Sequence, residues 1–204
     1  MSPTLRQERK TRTAAEIAAA ALELFTSRGF APVTMAEIAT AAGVSQRTLY
    51  RYVTDKEELL FGDDEAFRGT LRSAVVRRPP DEHPFTALRA ASMSAAGVLE
   101  GRRADVERRA AIIAATPALL GRERAKHAAW EAVLADAVLE RGVPTTRARL
   151  LGRITVACYD EAITRWLENT GQAPNLTTAL KQAFDDVESL SALGGGSSES
   201  PVRC

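Results

Sequence analysis

Residues 41–59 read "AAGVSQRTLYRYVTDKEEL", two short helical patterns hinged on a single glycine and trailed by a group of hydrogen-bonding side chains. Gly43 falls where a helix ends in a left-handed residue, a conformation glycine enters without steric cost. Ser45 is placed to cap the next helix, residues 46–52, by accepting from a free N–H of its first turn. The stretch therefore predicts a sharp corner between two helices and not one continuous rod.

Upstream, Thr34 with Glu37 three residues later forms a capping box for a helix over residues 35–42. Before it, Ile17, Ala20, Ala21, Leu24 and Phe25 recur at i, i+3 and i+4 in a first helix that starts at Thr11 or Thr13 and stops at Gly29. Residues 1–10 read as a polar arm with Arg6, Arg9 and Lys10. Three helices with a tight glycine turn between the second and third describe a helix-turn-helix. Its core is expected from Ile38, Ala42, Val44, Leu49 and Tyr52, with Ala39 small where the helices cross.

The remaining side chains of the third helix point outward. Gln46, Arg47, Thr48 and Arg51 suit base edges or phosphates in a major groove, where Arg pairs bidentately with guanine and Gln with adenine. Tyr50 offers a phenol to a phosphate, and Thr34 and Lys56 stand at helix N-termini, whose free N–H groups favour the same anions. Ser45 and Tyr52, the latter also counted in the core, complete the candidate DNA-binding set.

With these residues in place, "EIAAAALELFTSRGFAPVTMAEIATAAGVSQRTLYRYVTDKEELL" resembles the DNA-binding domain of the tetracycline-repressor (TetR) family of bacterial regulators, over about residues 12–60. The family pattern has an aromatic after the second tyrosine, where this chain has Val53. The resemblance implies a homodimer whose two recognition helices read a palindromic operator, with half-sites about one helical turn apart. It implies repression, relieved when a small ligand in the second domain shifts the fourth helix. Beyond residue 60 the likeness is one of helix number and layout only, as expected where the second domain varies.

Composition agrees with an all-α chain. The 204 residues are 45% hydrophobic, 26% charged and 5% aromatic, rich in helix formers. Net charge is +1, but residues 1–56 hold 8 Lys and Arg against 5 Asp and Glu, and the remainder 19 against 21, so only the front favours polyanions. Two distant cysteines, Cys158 and Cys204, form neither a disulfide framework nor a zinc pattern. No stretch nears the roughly 18 apolar residues of a membrane span. The expectation is a cytoplasmic protein with no membrane partner, cofactor or metal. Two histidines, His83 and His127, stand without a GxSxG, HExxH, Walker or GxGxxG motif, so no catalytic residue is assigned.

After Thr54 or Asp55 as cap, a long helix is expected to about Arg77, ended by "RRPPDEHPF". Further helices are expected at about 85–100, 102–115, 117–141, 145–170 and 175–191, nine in all, before the tail "GGGSSESPVRC". The chain thus divides into an arm and helix-turn-helix domain (1–56), a helical effector-binding and dimerisation domain (57–193), and a flexible tail (194–204).

In the second domain, Leu176, Leu180, Ala183, Phe184, Val187 and Leu190 make one apolar stripe, and helix 145–170 is apolar on more than one side, Ile163 included. Such a helix is covered twice, giving a four-helix dimer interface on Ile163, Leu176, Leu180, Phe184 and Val187; the competing reading makes them all intramolecular core. Candidate effector contacts are Met93, Ile112, Ile113, His127, Trp130, Tyr159 and Trp166, apolar walls with a few polar groups. The run "RRAAIIAATPALLGRER" mixes Arg108, Arg109, Arg122 and Arg124 with apolar residues. It suits a hydrophobic acyl-type effector, although a solvated salt-bridged face is the stronger reading. Two rivals stay open: a DNA-binding dimer without an effector, and a helical enzyme.

Overall fold

A computed structural model of the chain describes residues 5–62, 64–168 and 175–193, so the tail 194–204 and Cys204 lie outside the described residues. Ten helices and no strand occur among them: α1 Leu5–Arg28, α2 Met35–Ala41, α3 Gln46–Leu49, α4 Lys56–Phe61, α5 Asp64–Val76, α6 Pro84–Glu100, α7 Arg103–Ala114, α8 Pro117–Leu139, α9 Thr145–Glu168 and α10 Leu176–Leu193.

Three departures from the sequence reading have local causes. α1 begins at Leu5, because nothing between the arm and Arg28 breaks a run of good helix formers; Arg9 and Lys10 therefore ride on the helix. The single helix expected after the Thr54 or Asp55 cap, to about Arg77, is two, since Gly62 takes φ +68° at the C-terminal end of α4. This break accounts for the tenth helix. Helix α3 closes at Leu49, short of the expected residue 52, and residues 50–53 continue as a tight turn in which Arg51 N–H donates to Thr48 O and Tyr52 N–H to Leu49 O.

The chain forms two compact units that interleave along the sequence: the described residues up to Glu65 with Arg103–Lys126, and Ala66–Arg102 with the described residues from His127 on. In the first, α1 packs on α2, α4 and α7. Ile17, Ala21, Leu22, Phe25, Ile38, Leu49 and Leu60 form one buried cluster, which Ile112 of α7 and Leu119 of α8 complete. Each wholly buried Leu, Ile or Phe contributes about 1.5–3 kcal/mol. Arg108 binds Glu23 at 2.9 Å and Asp105 at 2.8 Å. Arg122 binds Asp55 at 3.1 Å and Glu57 at 3.0 Å. The arginines of "RRAAIIAATPALLGRER" thus include a salt-bridged face.

In the second unit α10 lies on α6 and α9, with Phe184 edge-on to Phe85 at 5.3 Å. Leu176, Leu180 and Phe184 are 0% exposed within this one chain. They belong to its own core and have no surface left to lose to a partner, which corrects their assignment to a dimer-facing stripe; α6 supplies the cover that periodicity alone could not identify. Ile163 and Val187 keep partial exposure. The outer apolar groups are instead Leu150 on α9 and Leu190 on α10, 56% and 68% exposed. α8 and α9 approach so closely that a Cβ on Gly152 would stand 2.5 Å from the Glu131 carbonyl oxygen. The α5–α6 turn is held by Arg141, which donates to the carbonyls of Arg78, Pro79 and Glu82 at 3.1, 2.6 and 2.9 Å.

Candidate nucleic-acid interface

The corner between α2 and α3 is built from backbone geometry first. Gly43 has φ +66°; its N–H donates to Thr40 O at 3.1 Å, and the Val44 N–H reaches Ala39 O at 2.9 Å. This pair of reverse bonds is a Schellman closure. A Cβ on Gly43 would meet nothing within 4 Å, so glycine is required there for its backbone and not for space. Ser45 then starts α3, accepting from Thr48 N–H at 3.1 Å and sharing a 2.9 Å hydroxyl contact with Thr48.

At the start of α2 the capping box is complete. Thr34 accepts from Glu37 N–H at 3.3 Å, while the Thr34 N–H and hydroxyl donate to the Glu37 carboxylate at 2.9 and 2.8 Å. The Thr34 backbone N–H, then Arg28 at 2.8 Å and the Thr34 hydroxyl, hold the Glu37 carboxyl at about 2, against an ordinary 4.5. Asp55 caps α4 by accepting from Glu58 N–H at 2.8 Å. Burial pushes its carboxyl upward, but the Glu58 N–H and Arg122 outweigh that and keep it below the usual range.

These bonds sort the candidate DNA-binding residues. The hydroxyls of Thr34, Ser45 and Thr48 are engaged in caps, and Tyr52 is half-buried against the hydrophobic cluster. Gln46, Arg47, Tyr50 and Arg51 are exposed, Tyr50 by 55%. Together they present an amide, two guanidiniums and a phenol on one small edge, a set suited to base edges and phosphates. Lys56 departs from the reading that gave it to anions. Its ammonium donates to the carbonyls of Phe30, Ala31 and Val33 at 2.9, 2.9 and 3.1 Å and lies 4.5 Å from the centroid of the Phe30 ring. Those acceptors sit more than twenty residues upstream, so local spacing held no sign of them.

The candidate effector contacts fall in different places. Trp130, Tyr159 and His127 share an aromatic cluster in the second unit with Phe67, which the sequence reading missed: Phe67 lies 4.7 Å from Trp130 and 6.3 Å from Tyr159, and His127 5.6 Å from Trp130. The Tyr159 hydroxyl donates to Ser92 O at 2.7 Å, and burial pushes its pKa up. His127 Nδ1 lies 3.3 Å from Asp160. Trp166 is buried and Met93 half-buried in the same unit, whereas Ile113 packs on the hydrophobic cluster of the first. A groove of about 340 Å³ between α8 and α9, lined by Ala128, Ala132, Leu139, Arg149 and Arg153 among others, includes none of these residues. Cys158 is buried, and burial followed by the charge of Asp186 pushes its thiol up to about 11, which keeps it a packing group. Among the described residues no helix is long and apolar enough to cross a membrane.

Comparison with known proteins matches residues 17–62 to the family model described as bacterial regulatory proteins, tetR family, and residues 82–191 to the MftR C-terminal domain. A regulator of Mycobacterium tuberculosis named for mycofactocin biosynthesis, MftR, is 30% identical over 186 residues, covering 88% of this chain and 91% of the relative. Among solved structures, a TetR-family regulator of Syntrophomonas wolfei superposes with TM-score 0.65 at 14% identity, over 90% of this chain and 96% of its own. Thermus thermophilus FadR, a repressor solved with lauroyl-CoA, superposes with TM-score 0.53 at 25% identity, over 94% of this chain and 99% of its own.

Proposed function

The chain belongs to the TetR family of bacterial transcriptional regulators, and from that premise we propose that it is a homodimeric, cytoplasmic repressor that binds a palindromic operator and is released by a small hydrophobic effector. The observation that carries the reading head is α3 and the turn that follows it: Gln46, Arg47, Tyr50 and Arg51 are exposed beside a corner whose Thr34, Ser45 and Thr48 hydroxyls are engaged in caps. Gln46 and Arg47 take the base-reading role; Tyr50 and Arg51 take phosphates.

An acyl-type effector is favoured by FadR, whose structure holds lauroyl-CoA. A second reading, a DNA-binding dimer without an effector, is favoured by the burial of Tyr159 and Trp166, which act as core. One experiment decides both steps. Fluorescence anisotropy with duplexes from the DNA flanking the gene tests operator binding, and lauroyl-CoA is then titrated into the complex. Release at micromolar lauroyl-CoA with a concentration-dependent rise in melting temperature supports the effector reading. Binding that lauroyl-CoA and a broad set of hydrophobic metabolites leave unchanged overturns it in favour of the second. Indifference to all duplexes at low ionic strength overturns both. Loss of a base preference on Arg47→Ala is the test of the reading edge.

A further inference from the structure

Lys56 is the first residue of α4, and its ammonium reaches back to the turn that leads into α2. Between these two points runs the whole helix-turn-helix, from Thr34 to Asp55. An ammonium has three N–H donors and no acceptor, and here the carbonyls of Phe30, Ala31 and Val33 take all three, at 2.9, 2.9 and 3.1 Å. The Phe30 ring, 4.5 Å from the nitrogen, supplies a π face. The acceptors are themselves fixed: Phe30 and Val33 are 8% and 1% exposed and belong to the hydrophobic cluster. Asp55, next in the chain, is anchored by its own cap on Glu58 and by Arg122.

From this geometry we infer that Lys56 is a positioning residue that cinches the two ends of the helix-turn-helix together and so fixes the pitch of α3, instead of donating to a DNA phosphate. The inference rests on the DNA-binding reading above, and concerns which part of that binding the lysine serves. A lysine spent on a phosphate adds one released counterion, so its removal lowers the slope of log affinity against log salt by about one and weakens all duplexes alike. A cinching lysine behaves otherwise. Its removal lets α3 tilt, which costs the base contacts that depend on register and leaves the number of phosphates nearly as before.

The test compares Lys56→Met and Lys56→Arg with the parent, as full chains. The probes are a duplex selected by the parent from a random pool and a scrambled duplex of equal length. Affinities are measured over a salt series at a temperature where circular dichroism shows every variant folded, so that a loss of stability alone does not move them. Lys56→Met is expected to weaken the selected duplex roughly tenfold and the scrambled one far less, at an unchanged salt slope, with a lower melting temperature in the absence of DNA. Lys56→Arg keeps a cation but offers a flat fork in place of three splayed donors, and is expected to share the loss of preference. Equal weakening of both duplexes with a slope reduced by about one, or full rescue by arginine, overturns the inference. Unchanged affinities for both duplexes overturn it as well. If Lys56→Met does not fold, the arginine variant carries the comparison. If the parent selects no duplex, the DNA-binding reading falls, and the cinch is still judged by whether Lys56→Met lowers the melting temperature.

Discussion

Replacing Gly152 by alanine tests the packing of α8 against α9. In a helix interior alanine is favoured over glycine by about 1 kcal/mol, and by that rule alone Gly152→Ala would stabilise the protein. The structure reverses the sign. The new methyl would stand 2.5 Å from the Glu131 carbonyl oxygen and 3.3 Å from the Ala135 nitrogen, both backbone atoms inside α8 that no rotamer change can move aside. Relief requires the two helices to part by several tenths of an ångström or more. Overpacking of this kind costs about 1–3 kcal/mol, and a rigid opponent puts it toward the upper end. Less the propensity gain, the net loss is about 1–2 kcal/mol. For a chain of this size each kcal/mol moves the melting temperature by about 2–4 °C, so a drop of about 2–8 °C is expected. The control is Gly121→Ala, a helical glycine of α8 where an added Cβ meets nothing within 4 Å and where a rise of a few degrees is expected from propensity. Thermal unfolding of the parent and both variants, followed at 222 nm, decides the matter. Equal stabilisation by both substitutions would refute the close crossing.

Glu37→Gln should lower the melting temperature at neutral pH, with a difference from the parent that narrows on acidification. The Glu37 carboxyl sits at about 2 in the folded protein against an ordinary 4.5, so its contribution is complete above 4.5 and disappears as pH falls toward 2; melting curves across that range check it. Arg47→Ala should reduce discrimination at one base pair by about 1–3 kcal/mol while a scrambled duplex is bound nearly as before, read from anisotropy on single-base variants of the selected site. Arg141→Met removes the donors that hold the carbonyls of Arg78, Pro79 and Glu82 and should destabilise by about 1–3 kcal/mol, seen as a lower melting temperature with the Arg78–Glu82 turn exchanging its amide hydrogens faster.

What could be read in the sequence was whatever bonds within a few residues. The Thr34–Glu37 box, the Ser45 cap and the Gly43 turn all obey i to i+3 or i+5 rules, and each stands where those rules put it. Gly62 escaped because a lone glycine weakens a helical pattern by only about 1 kcal/mol, and the flanking apolar residues carried the period across it. Periodicity names the apolar face of a helix without naming its cover. Leu176, Leu180 and Phe184 were therefore legible as a stripe, while α6 as their cover was not. The candidate site divided the same way: the outward edge of α3 followed from its pattern, but the acceptors of Lys56 and the pairing of Arg122 with Asp55 depend on chain returns of many residues, where local rules have no reach.

The interleaving of the two units bears on any attempt to transplant the reading head into another regulator. Ile112 and Leu119 close the hydrophobic cluster over α1, although they enter the chain some fifty residues after α4 ends. A fragment cut at Glu65 would lose both residues and leave part of that cluster facing water, an exposed apolar patch that favours aggregation. A functional graft has to carry Arg103–Lys126 as well, which means three splice junctions in a hybrid and not a single seam.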